Sequence, residues 1–98
     1  MPRTPRAFVI GSIRIKDADK WAQYRASVPA TLVPWHAELL LRGRRARLLS
    51  GETPHTDTVV IRFPDTAAVE GWYRSAAYAA LIPLREQAAE VLLVSYEE

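Results

Sequence analysis

Four short apolar runs constrain this chain more than any other feature. They are Ala7–Ile15, Glu38–Arg42, Thr58–Phe63 and Val91–Tyr96, rich in Val, Ile and Leu. Such runs read as β-strands. Between the first and second, Trp21, Tyr24 and Val28, with Leu32 one turn further, fall on one helical face. Asp17 or Asp19 is placed to cap that helix. Pro29 should kink or interrupt it, and Pro34 should stop it. Between the second and third runs, Gly43 marks a turn or bulge. Ala46–Ser50 then continues or returns as a short strand, and residues 51–57 form a loop by composition. After the third run Pro64-Asp65 opens a second helix, where Val69, Trp72, Tyr73 and Ala76 follow the i, i+3, i+4, i+7 rule. Ser75 interrupts and is a good N-cap for another short helix through Tyr78, Leu81 and Leu84. The whole reads as a bent helical element carrying an aromatic cluster over a sheet.

The element order is β-α-β-β-α-β. This is the split βαβ of an α+β, ferredoxin-like sandwich: an antiparallel sheet with helices on one face. The first and third strands are expected at the sheet centre, parallel to each other, with the second and fourth flanking them antiparallel. Strand alternation then assigns faces. Val9, Ile13, Ile15, Leu39, Leu41, Val59, Ile61, Phe63, Leu92, Val94 and Tyr96 are assigned to the helix side. Phe8, Ile10, Ser12, Arg14, His36, Glu38, Leu40, Arg42, Thr58, Val60, Arg62, Val91, Leu93 and Ser95 are assigned to the other. Two helices cannot cover both faces. The second face is apolar enough to call for another copy packed sheet to sheet, a homodimer.

At 98 residues the chain suits one domain, 1–98, with residues 1–6 as a loose basic arm and not a signal peptide. The absence of cysteine excludes thiolate metal sites, disulfides and cysteine nucleophiles; it is compatible with a reducing, cytoplasmic setting. A net charge of +2 is too small an excess to argue for nucleic acid. The basic residues Arg42, Arg44, Arg45 and Arg47 read as a solvated hairpin, having no interleaved aromatics. No apolar run approaches the length that spans a bilayer.

Certain residues together resemble a known family. These are Phe63-Pro64, Trp72-Tyr73, Ser75, Tyr78 and Arg85, joined by Tyr24, Arg42-Gly43 and Gly51. At these spacings, over roughly Phe8 to Tyr96, the chain resembles the domain of unknown function 1330 family, small proteins of the dimeric α/β-barrel type. The resemblance implies a ferredoxin-like protomer and a homodimer with facing sheets, and it implies no particular reaction. Related dimeric α/β barrels include cofactor-free oxygenases, isomerases and cyclases. Where the family usually has a glycine pair entering the second strand, this chain has His36-Ala37. A glycine there permits close backbone approach or an unusual φ.

Alternation and the expected topology gather His36, Glu38, Arg62 and Arg14 at one end of the barrel-facing side. Glu38 or His36 can then carry a proton, and Arg62 can clamp an anion. Arg14, Trp72, Tyr73, Ser75 and Tyr78 are candidate ligand-binding groups. The same Glu–Arg pair also reads as structural, at a dimer rim, and Ser75 as an N-cap. No cofactor is indicated, and two histidines without cysteine make a poor metal set. Two functions follow. One is a cofactor-independent enzyme, of isomerase, cyclase or oxygenase type, acting on a small organic acid or an aromatic or polyketide-like compound in a barrel pocket. The other is a non-catalytic dimeric module that binds a small ligand or a partner.

Overall fold

The computed structural model describes residues 4–98. In chain order the elements are β1 (Ala7–Ile15), α1 (Ala18–Leu32), a 3-10 turn (Val33–Trp35), β2 (Glu38–Arg44), β3 (Asp57–Phe63), α2 (Thr66–Arg74), α3 (Ala76–Ala79), α4 (Ile82–Ala88) and β4 (Ala89–Glu97). The strands form one four-stranded sheet in the order β2-β3-β1-β4, with the helices on one face. Every neighbouring pair is antiparallel, including β1 with β3. The expected parallel centre is therefore wrong. The α1 crossover returns the chain so that β2 runs with β1, and the β2–β3 connection then reverses it against β1.

The helix starts follow from their caps. Asp17 accepts a hydrogen bond from the Lys20 amide, Asp65 from the Ala68 amide and Ser75 from the Tyr78 amide. Ser75 stands between α2 and α3, so the bent element forms where the cap interrupts it. The α1 helix, against expectation, runs on through Pro29 to Leu32. Pro29 offers no N–H to the carbonyl of Arg25, four residues back. That oxygen is reached from the sheet, where Arg42 Nη2 donates to it at 3.3 Å.

Cross-strand partners share a face. Along β1, Ala7, Val9, Gly11 and Ile13 are buried while Phe8, Ile10, Ser12 and Arg14 are half-buried on the other side. In β4 the expected faces are reversed. Val91 and Leu93 stand opposite Ile13 and Gly11, under the helices; Leu92, Val94 and Tyr96 stand opposite Ser12, Ile10 and Phe8. Apolar residues occupy both parities of β4, so alternation does not decide its face. Register decides it: the Ala88 carbonyl accepts from the amides of Lys16 and Asp17 at 2.8 and 3.0 Å, which sets Ala89 opposite Ile15. A bulge between Leu39 and Leu41 reorients β2 in the same way. It pairs Leu41 with Val60 on the open face and Arg42 with Val59 on the helix side. The strand expected at Ala46–Ser50 is absent. After the Arg45 amide bonds the Thr56 carbonyl, that segment has no facing strand.

The core lies between sheet and helices, and Trp72, Tyr78 and Phe63 are its largest fully buried side chains. Gly71 admits this packing, because a Cβ there would lie 2.3 Å from the Trp35 ring. Met1-Pro2-Arg3, half of the expected loose arm, lies outside the described residues. Arg6, at its end, is held by Glu98, with Nε donating at 2.8 Å and Nη2 at 3.0 Å. No helix among the described residues is long and apolar enough to cross a membrane.

Candidate functional site

The expected polar cluster is assembled in part. His36, Glu38 and Arg62 line one open depression together with Arg6, Phe63 and Pro64. Arg62 and Glu38 form an ion pair across β2 and β3. Their side chains are 36% and 59% exposed, so water competes for this pair. Arg14 is not there. Because β1 opposes β3, Arg62 faces Phe8, and Arg14 lies six residues away along β1, about 20 Å at strand rise. Arg14 instead pairs with Glu90, donating through Nε at 3.0 Å and also through Nη2. This hydrogen bond, ahead of the attraction of the two charges, holds the Glu90 carboxyl below its usual range. His36 closes the 3-10 turn in the left-handed region, at φ 54° and ψ 33°. It thus takes the backbone conformation that a glycine adopts without strain.

A second concavity lies on the helix side of the sheet. A pocket of about 240 Å³ opens between α1 and the helix side of the sheet. Trp21, Tyr24, Val28 and Leu32 of α1 form one wall; Ile13, Leu39, Val59, Ile61, Val91 and Leu93 form the other; Trp72 also lines it. Arg25 and Arg42 lie on the same lining and are exposed. Burial, and then the nearby Arg25 charge, push the Arg42 pKa down from its ordinary value. This cavity lies on the helix side of the sheet, away from the depression that His36, Glu38 and Arg62 share. One feature hides it in the sequence. The Leu40 bulge, which brings Arg42 inward, has no residue signature. Arg25, however, stands four residues after Trp21 and three before Val28, a charge inside an apolar stripe, and that was legible.

A buried polar chain leads away from the pocket-lining Tyr24. The Tyr24 and Tyr78 hydroxyls are 2.7 Å apart, and Arg85 Nη1 donates to the Tyr78 oxygen at 3.1 Å. Arg85 also donates to Glu86 through Nη2 at 2.9 Å. Burial opposes the Arg85 charge, but hydrogen bonds with Glu86, Tyr73 and Tyr78 outweigh it and hold the guanidinium above its ordinary pKa. Burial, reinforced by Tyr78, raises the Tyr24 phenol far above its ordinary value, so it stays protonated. Trp72 is fixed by its Nε1, which donates to Thr31 Oγ1 at 3.0 Å. The Ser75 hydroxyl is engaged by backbone, donating to the Trp72 carbonyl at 2.7 Å and accepting from the Tyr78 amide at 3.2 Å. Tyr73 is exposed, with its ring 5.5 Å from that of Tyr78. Of the residues that carry the family resemblance, Tyr24, Trp72, Ser75, Tyr78 and Arg85 form one physical cluster, while Arg42-Gly43 and Gly51 lie apart from it. Among the described residues no group of three or more His, Cys, Asp or Glu side chains is placed to hold a metal ion.

The family model described as Domain of unknown function (DUF1330) matches residues 6–97. The chain belongs to this family. No curated protein matches it. Among solved structures, this DUF1330 chain is similar to a protein of unknown function from Rhodopseudomonas palustris, with a TM-score of 0.83 and 15% identity, over 98% of this chain and 84% of that one. It is also similar to a dimeric ferredoxin-like protein of unknown function from Jannaschia sp. CCS1, with a TM-score of 0.76 and 11% identity, over 95% and 99% of the two chains. A third is SnoaB, a cofactor-independent oxygenase from Streptomyces nogalater, with a TM-score of 0.69 and 5% identity, over 95% and 92%. At these identities the likeness establishes the ferredoxin-like fold, and a fold hosts many functions.

Proposed function

We propose that this protein binds a small, largely apolar organic acid in the pocket between α1 and the sheet. The observation that carries this reading is an apolar cavity whose lining holds three arginines, Arg25, Arg42 and Arg44, against one carboxylate, Asp57, with neither Arg25 nor Arg42 in an ion pair among the described residues. An anion fits that arrangement, because guanidinium groups recognise carboxylates with paired N–H donors. The cavity's 240 Å³ falls below the usual range for drug-sized ligands, which favours a compound of one or two rings. Pro29 supports the site indirectly, since the carbonyl it leaves free draws Arg42 against α1. A cofactor-free reaction on the bound acid is the second reading, favoured by the buried hydroxyl chain leading away from Tyr24 and by the fold shared with SnoaB. The chain works as a homodimer packed through its open sheet faces. Leu40, Leu41, Leu92 and Tyr96 are all at least 44% exposed there, and the similar Jannaschia protein is dimeric.

Thermal shift tests the ligand. Benzoate should raise the melting temperature and neutral benzyl alcohol should not, with Arg42→Met removing the preference. A ligand at a hundred times its Kd adds about 2.7 kcal/mol. If no small aromatic acid shifts the transition, the binding reading falls. Sedimentation tests the assembly, which should bury about 1,200–2,000 Å² in total. Leu92→Asp should yield monomer; wild-type protein that sediments as an 11.0 kDa monomer at micromolar concentration would end the dimer reading.

A further inference from the structure

The direction of the buried hydrogen-bond chain can be worked out from what each group is able to donate. Arg85 has donors only and no acceptor. It therefore donates to the Tyr78 oxygen. Two orders remain for the 2.7 Å contact between Tyr78 and Tyr24. If Tyr24 donates, the Tyr78 oxygen accepts twice, and no further hydrogen bond takes up its own proton among the described residues. Tyr78 is 0% exposed, so that proton would be stranded in the core, at the penalty of a buried unmade bond. If Tyr78 donates, the spare proton belongs to Tyr24. Tyr24 is 7% exposed, and it alone of the three lines the pocket. A ligand or a water in the cavity can accept from it there.

We propose that Arg85, Tyr78 and Tyr24 form a one-way hydrogen-bond chain that ends in the Tyr24 hydroxyl as a donor to the pocket's occupant. The occupant is then an acid with a second acceptor, such as an oxo-acid or acyl-aromatic acid: its carboxylate meets Arg42, and its carbonyl oxygen meets Tyr24. This identity of the occupant rests on the ligand-binding reading of the same pocket; the direction of the chain does not. Tyr24 is the binding residue, and Tyr78 and Arg85 are positioning residues that polarise it. The guanidinium charge strengthens each successive donor, since bonds in such chains polarise one another. The high pKa of Tyr24 agrees with this role, keeping its proton in place across the physiological range.

The probe is 4-acetylbenzoate labelled with ¹³C at the ketone, observed by infrared difference spectroscopy on the full-length protein. The ketone stretch of the bound probe should lie at lower wavenumber in wild type than in Tyr24→Phe, with Tyr78→Phe between them. Tyr24→Phe should weaken binding about 3- to 10-fold, the worth of one hydrogen bond. Arg42→Met should weaken binding and leave the ketone band unmoved. A band that is the same in wild type and Tyr24→Phe overturns the proposal. If the probe does not bind wild type, the ligand-binding reading fails and the chain is judged without it. Hydroxyl exchange of the two tyrosines, followed by NMR through the deuterium shift on Cζ, should then show Tyr78 slower than Tyr24. The reverse order overturns the proposal as well.

Discussion

The two faces of the sheet handle charge and polarity in opposite ways. On the helix side Tyr24, Tyr78, Arg85 and Thr31 are all 9% exposed or less, and each has a hydrogen-bond partner. No buried side-chain polar atom of the described residues is left without one. On the open side Arg62–Glu38 and Arg14–Glu90 sit in water among apolar residues that nothing covers in the protomer. A buried polar network is costly to break because each lost partner strands another group. A solvent-exposed ion pair loses little when broken. The faces should therefore respond very differently to changes that look alike on paper.

The largest effect belongs to the helix side. Trp72→Ala should destabilise the fold by about 3–5 kcal/mol, lowering the melting temperature by more than about 10 °C for a domain of this size. The ring is 1% exposed and packs 4.2 Å from Tyr78 and 5.4 Å from Phe63, centroid to centroid. Truncation also strands Thr31 Oγ1 as an acceptor. A melting temperature close to wild type would show that α2 is not the anchor of this face.

The same contrast governs what could be read from the sequence. The helix side was legible where periodicity and capping are local: Val69 and Trp72, the Ser75 interruption and the Asp17 and Asp65 caps stand as their residues suggest, whereas Tyr73 and Ala76, expected on the same stripe, are exposed. Strand β1 was legible because its two faces differ in composition. Strand β4 was not, since Val91, Leu92, Leu93 and Val94 are apolar at both parities, and only the Ala88 carbonyl's bonds to Lys16 and Asp17 select the register. The cluster at His36 was half legible for a related reason. Glu38 and Arg62 are hairpin neighbours, so their meeting needed only the turn. Placing Arg14 needed the relative direction of β1 and β3, a non-local property that side-chain patterns do not carry. Arg42 needed the bulge, which is a feature of pairing and not of composition.

The intermediate effect tests whether the buried chain is as tightly coupled as its geometry suggests. Tyr78→Phe keeps the ring in place and removes one oxygen. That oxygen is the acceptor for Arg85 Nη1 and the partner of the Tyr24 hydroxyl. Leaving a buried guanidinium hydrogen without an acceptor should cost about 1–3 kcal/mol, read as a shift in the urea midpoint at unchanged m-value. The double variant Tyr24→Phe with Tyr78→Phe should cost less than the sum of the two single changes, since the second removes a group the first has already stranded. Strict additivity would mean that the hydroxyls do not act as a chain.

The smallest effect belongs to the open side. Glu38→Gln keeps the shape of the side chain and removes the charge opposite Arg62. At 36% and 59% exposure the two groups are largely solvated, so the change should cost about 0–1 kcal/mol. Whatever remains should shrink further between 0.05 and 0.5 M salt as screening lengths fall to roughly that of the contact itself. This variant also bears on the assembly. Arg62 faces Phe8 on the sheet surface proposed to meet a second copy. If that surface buries the pair, breaking it leaves an unpaired guanidinium out of water, and the cost rises to several kcal/mol. A loss that is small in dilute protein and grows with protein concentration would place Glu38 and Arg62 inside the dimer interface. A loss that is small at every concentration would place them at its rim, open to solvent, where the depression they share with His36 stays accessible.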